Sequence, residues 1–128
     1  MAISSSKSFK GALFHEHEDA FFSKLEKFAG PLRFCAHEMV ECIDKLTWKS
    51  KELNALKEAY CQLETIPIKE LEHGIELVKT EFLHVDFIAD SVHTTAMNNA
   101  DFVMYFDKQN HFNAEVHTLI KKAMDIAA

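Results

Sequence analysis

The chain has 128 residues, of which 48% are hydrophobic and 27% charged, so its size suits one domain and its composition excludes a disordered chain. Fourteen basic residues against twenty acidic ones give a net charge of −6, the wrong sign for nonspecific binding to nucleic-acid phosphates. Three glycines and two prolines cannot supply the frequent turns of a strand-rich fold, so the chain is expected to be nearly all helix.

The first eight residues, with Ser4, Ser5, Ser6 and Ser8, read as a flexible tail ahead of a single domain over 9–128. The N-terminus lacks the apolar run of a secretory signal and the second-position glycine of a myristoylation signal. No apolar stretch approaches the ~18–20 residues of a membrane span. Cys35, Cys42 and Cys61 form no Cys-x-x-Cys pair and fall at apolar helical positions, as buried reduced thiols would. A cytoplasmic protein without membrane insertion is expected.

Breakers fall at Gly30-Pro31, Ile66-Pro67 and Asn98-Asn99, which places connections at 29–32, 64–68 and 97–101. In the first segment Phe9, Leu13, Phe21, Leu25 and Phe28 share one stripe. In the second, Leu32, Cys35, Met39, Cys42, Leu46, Leu53, Leu56, Tyr60 and Leu63 recur in steps of three and four around one exception, Lys49. That pattern predicts a single helix of about 33 residues, roughly 50 Å long. The third segment repeats the pattern through Leu71, Ile75, Val78, Phe82, Val85, Ala89, Val92 and Ala96. The fourth does so through Phe102, Tyr105, Gln109, Phe112, Val116, Leu119, Ala123 and Ile126. Short loops force successive helices to run antiparallel, so the expected fold is an up-down-up-down four-helix bundle. Phe82 stands at the centre of a seam, where truncation to alanine costs about 3–5 kcal/mol.

Eight histidines make polar placement the next question. His17 interrupts the first apolar stripe between Leu13 and Phe21, while Asp86 and His93 flank the third seam with Asp90 between them. Counted from the common loop end, His17 and Asp86 come out level, and Gln109 and Asn113 lie within a turn of that height. Such a cluster inside a bundle needs pairing or a divalent metal, so it reads as a carboxylate–histidine metal site, as a hydrogen-bonded polar layer, or as boundary residues in water. His37 with Glu41, and His111 with Glu115, are i, i+4 pairs on outer faces. Glu70/His73 and Glu81/His84 have half the spacing of a di-iron carboxylate site but share one face of one helix, as a solvated charged face does. No phosphate loop, Gly-x-Ser-x-Gly elbow, His-Glu-x-x-His or dinucleotide fingerprint is present in the sequence, and nothing in it asks for an enzyme.

Two stretches carry a family resemblance. Asp19-Ala20-Phe21-Phe22-Ser23-Lys24-Leu25 resembles the opening helix of the PhoU-like phosphate-transport regulators, and Ile68-Lys69-Glu70-Leu71-Glu72-His73-Gly74-Ile75-Glu76 resembles the helix that bears their acid-x-x-x-acid metal motif. The resemblance covers about 20 residues and implies a helical protein that binds metal through Glu72 and Glu76 and regulates phosphate uptake. This chain departs from the family in having room for one bundle rather than two three-helix repeats, and in lacking the second acidic motif where the family places it.

The outer faces carry more apolar residues than a solitary bundle needs. Phe34 and Trp48 lie two heptads apart on the second segment, Leu83 and Phe87 one turn apart on the third, and Phe22 on the first. Aligned large apolar residues mark contact surfaces, and aromatics carry interface energy. A homodimer is therefore expected, with Phe34, Trp48, Leu83 and Phe87 at its interface. Two function classes stand beside each other: a non-enzymatic regulatory or scaffolding bundle that acts through protein partners, and a metal-binding bundle.

Overall fold

The computed structural model describes residues 18–47, 49–89 and 99–128, with side chains described in those ranges except at 18, 86–89, 99 and 102. Within them the chain is all-α, with five helices and no strand: α1 (Glu18–Glu26), α2 (Gly30–Lys45), α3 (Lys51–Thr65), α4 (Leu71–Ala89) and α5 (Asn99–Ala127). None of them is long and apolar enough to cross a membrane. The expected tail over 1–8, and the part of the first helix before Glu18, lie outside the described residues.

The breakers act as their chemistry requires. Pro31 sits in the first turn of α2, where its missing N–H costs nothing. Ile66, held extended (φ −66°, ψ 142°) by the proline after it, ends α3. A 3-10 turn over Ile68–Glu70 then leads into α4.

The expected helix of about 33 residues is corrected: it is two helices, α2 and α3, separated at Leu46–Ser50. Two side chains make the break. Lys49, the one exception in the apolar series, turns back and donates from Nζ to the carbonyl oxygens of Ile43 and Asp44, each at 3.0 Å. The Ile43 carbonyl also accepts the Leu46 N–H at 3.2 Å, and an ammonium beside the last carbonyls of a helix complements its dipole. Ser50 then caps the next helix, its hydroxyl accepting from the Leu53 N–H at 3.0 Å. Lysine stops one helix and serine starts another.

The two arms fold back as a hairpin. His37 meets Glu64, and Asp44, seven residues further along α2, meets Lys57, seven residues back along α3. This opposed stepping makes α2 and α3 antiparallel. α5 lies along the other side of α2 in the same opposed sense, with Lys122 over the Phe28 ring at 5.3 Å and Lys108 paired to Glu38 at 3.3 Å. α4 packs on α3, and α1 packs on α5 and the 3-10 turn, where Asp19 pairs with Lys69 at 3.0 Å.

The seams meet in one core. Leu32, Met39, Cys42, Leu46, Leu53, Leu56, Leu63, Leu71, Val78, Leu119 and Ala123 are all buried. Aromatics join the helices: Tyr60 meets Phe112 edge-on at 5.0 Å, and half-buried Phe82 stacks on Tyr105 at 6.2 Å, their planes 14° apart. Gly74 allows α4 to approach α3 closely, since a Cβ there would come within 2.6 Å of Leu63 Cδ2.

Candidate functional site

Of the expected interior cluster, His17, Asp90 and His93 lie outside the described residues, and so does the side chain of Asp86. The part of that layer that is described is neutral. Gln109 is buried, only 4% exposed, and its Oε1 accepts a hydrogen bond from the Tyr60 hydroxyl of α3. Its amide nitrogen donates to Asn113 Oδ1 at 3.2 Å, one turn on. Burial holds the Tyr60 phenol un-ionised far past its ordinary range. The sequence pattern placed Gln109 at this level but left Tyr60 among the apolar seam residues. A buried tyrosine must bring its hydroxyl to an acceptor, and that requirement was the available signal.

The residues of the family resemblance lie together at the start of α4. Glu72 and Glu76, with Lys69, Glu70 and His73, line an open depression of about 450 Å³. Lys79 lies 3.6 Å from Glu76, and the Lys69 ammonium reaches Asp19. Among the described residues no group of three or more His, Cys, Asp or Glu side chains is arranged to hold a metal ion. His84 Nδ1 lies 3.3 Å from its own helix neighbour Glu81 on the exposed side of α4.

Of the expected interface residues, Phe34 is 61% and Leu83 65% exposed. Trp48 and the side chain of Phe87 lie outside the described residues. The outward placement of Phe22 is corrected: it is 3% exposed and packs edge-on against Phe21 at 5.1 Å. α1 is covered on two sides, by α5 and by the 3-10 turn, so neighbouring Phe21 and Phe22 are both buried. Val103 and Met124 on α5 are further exposed apolar side chains that the heptad reading did not single out.

Phe34 shares the outward row of α2 with His37 and Glu41. The i, i+4 pair expected there is present, with His37 Nε2 at 3.4 Å from Glu41. The other ring nitrogen is engaged as well, since Nδ1 lies 2.9 Å from Glu64 of α3. The hydrogen bond and charge of Glu64, then the charge of Glu41, raise the imidazole above its ordinary pKa.

The cysteines offer no nucleophile. Cys35 and Cys42 are buried and Cys61 is half-buried, and burial pushes all three thiols up, away from the reactive thiolate. Cys35 faces the core while His37 faces out, so they form no nucleophile–base pair. No family model, curated protein or solved structure matches the chain.

Proposed function

We propose that this chain is a non-enzymatic regulatory or scaffolding bundle of the cytoplasm that acts through protein contacts and pairs with itself as a homodimer. In this reading α2, α3, α4 and α5 are the four antiparallel helices of an up-down-up-down bundle, and α1 packs against α5. The observation that carries the reading is Phe34, 61% exposed in the outward row of α2. A phenylalanine gains nothing from water at that position, and a contact surface gives it a role. The neutral Tyr60–Gln109 layer supports the same reading, because its atoms are occupied with one another.

Sedimentation at micromolar concentration is the test. The wild-type chain should exceed the 14.7 kDa of one copy, and Phe34→Ser should return it to that mass without loss of helix. A wild type that stays at 14.7 kDa across the range removes the homodimer.

A second reading is a metal-binding bundle resembling the PhoU-like regulators of phosphate uptake. It is supported by the depression at the start of α4, which gathers Glu70, Glu72, His73 and Glu76. Elemental analysis of protein purified without an affinity tag separates the two. Stoichiometric iron, zinc or manganese that is lost in a Glu72→Gln/Glu76→Gln variant favours the second reading, and a folded metal-free protein favours the first.

A further inference from the structure

The α2–α3 hairpin is tied by two ion pairs of different character. Near the link, Lys57 reaches Asp44, and that hydrogen bond raises the lysine further, so the ammonium keeps its charge throughout the neutral range. At the open end, in the last turn of α3 before the Ile66-Pro67 elbow, the tie is His37 to Glu64. A neutral imidazole has one N–H and can donate to one carboxylate only, whereas here each ring nitrogen faces its own, Glu64 at 2.9 Å and Glu41 at 3.4 Å. Only the imidazolium satisfies both, since the neutral ring leaves a lone pair turned toward an anion.

We propose that His37 is a proton-operated clasp that closes the open end of the α2–α3 hairpin when protonated and loosens it when neutral. The surrounding charges leave this role to His37. On α2, Arg33 lies 3.6 Å from Glu26, and Glu38 is paired with Lys108 of α5. On α3, Cys61 stands one turn before Glu64, and its raised thiol stays neutral alongside the clasp. The clasp lies next to exposed Phe34 and on the helix that leads into the depression at the start of α4, so it couples proton concentration to the geometry between those two surfaces.

The sign follows from linkage. His37 is raised in the folded chain, so its contribution is fully present below the ordinary histidine pKa of about 6.5 and is lost as pH rises through the folded value. Acidification therefore tightens the hairpin, and alkalinity releases it.

The test is a ring-resonance titration of the eight histidines in the full chain, with His37→Gln assigning its signal. His37 should titrate above the ordinary value, and Glu64→Gln should move it back further than Glu41→Gln does. Amide exchange in residues 62–65, corrected for its intrinsic pH dependence, should be slower at about pH 6 than at about pH 8 in wild type and equal at both in His37→Gln. A ring that titrates at or below the ordinary value overturns the clasp, and so does a pH response shared by wild type and His37→Gln. Phe34 shares the outward row of α2 with His37, so the titration is repeated in Phe34→Ser, where a raised His37 that persists belongs to the clasp and not to dimerisation.

Discussion

The Tyr60–Gln109 hydrogen bond gives the sharpest test of how the core is joined. Tyr60→Phe removes the donor and leaves Gln109 Oε1 buried, in a residue only 4% exposed. An orphaned buried acceptor costs about 1–3 kcal/mol. Gln109→Leu leaves the Tyr60 hydroxyl buried without its acceptor and should cost about the same. That variant also loses the tie to Asn113, but Asn113 is exposed and water replaces its partner. The double variant removes both polar groups at once and fills the space with apolar atoms of similar volume, an exchange that is close to neutral. It should therefore cost less than either single change, so that the coupling between the two sites exceeds the cost of one single change, about 1–3 kcal/mol. Urea denaturation followed by far-ultraviolet circular dichroism measures all three, and an unchanged denaturant slope assures that the same transition is compared. Strict additivity would refute the reasoning, because it would mean that the hydroxyl and the amide do not serve one another.

Five substitutions and one pH profile test the remaining local features. Lys49→Met and Ser50→Ala should each cost about 1 kcal/mol in urea denaturation, because each removes a cap at the α2–α3 link; no loss in either would place the link elsewhere. Gly30→Ala meets no other part of the chain within 4 Å, but Gly30 precedes Pro31, whose ring disfavours helical backbone under a Cβ, so the change should give no gain in stability in urea denaturation. Gly74→Ala gains interior helix propensity but brings a Cβ to 2.6 Å from Cδ2 of buried Leu63, so it should destabilise by about 1–3 kcal/mol, and a gain in stability would refute the close α3–α4 contact there. Phe82→Ala should cost about 2–3 kcal/mol, below the fully buried range, because the ring is half-buried and its main partner is the Tyr105 face; a melting temperature unchanged from wild type would refute that stack. In alkali, stability should fall from about pH 9 upward, where unfolded thiols and then phenols ionise while folded Cys35, Cys42, Cys61 and Tyr60 are held neutral; a flat profile would mean that these groups are not buried.

The core was legible in the sequence, whereas the direction of the chain through it was not. Leu32, Cys35, Met39, Cys42, Leu46, Leu53, Leu56, Tyr60 and Leu63 are all buried, as their spacing predicts. A heptad series reports which face is buried and is silent on whether the helix continues. Leu46 and Leu53 are seven residues apart, so the link between them keeps the phase of the seam and hides inside it. Length held the missing information. An uninterrupted helix of about 33 residues would run roughly 50 Å, whereas the two arms, of 16 and 15 residues, run roughly 24 and 23 Å. Folded back, the arms of 16 and 15 residues match one another, and the 29 residues of α5 lie along both α1 and α2.

The candidate sites divide along the same line. The His37–Glu41 pair and the exposure of Phe34 and Leu83 depend on spacing within one helix, which sequence supplies. Glu64 at the second nitrogen of His37, and the Tyr60 hydroxyl at Gln109, depend on which helix lies alongside. Both contacts come from α3, which the uninterrupted heptad pointed the wrong way along the fold. Lys49 is the residue on which the two halves turn. Read as a blemish in a seam it says nothing, but read as an ammonium that reaches back to the last carbonyls of the helix before it, it marks the end of a helix. Once the chain reverses there, the antiparallel register that pairs Asp44 with Lys57 also carries Glu64 to His37.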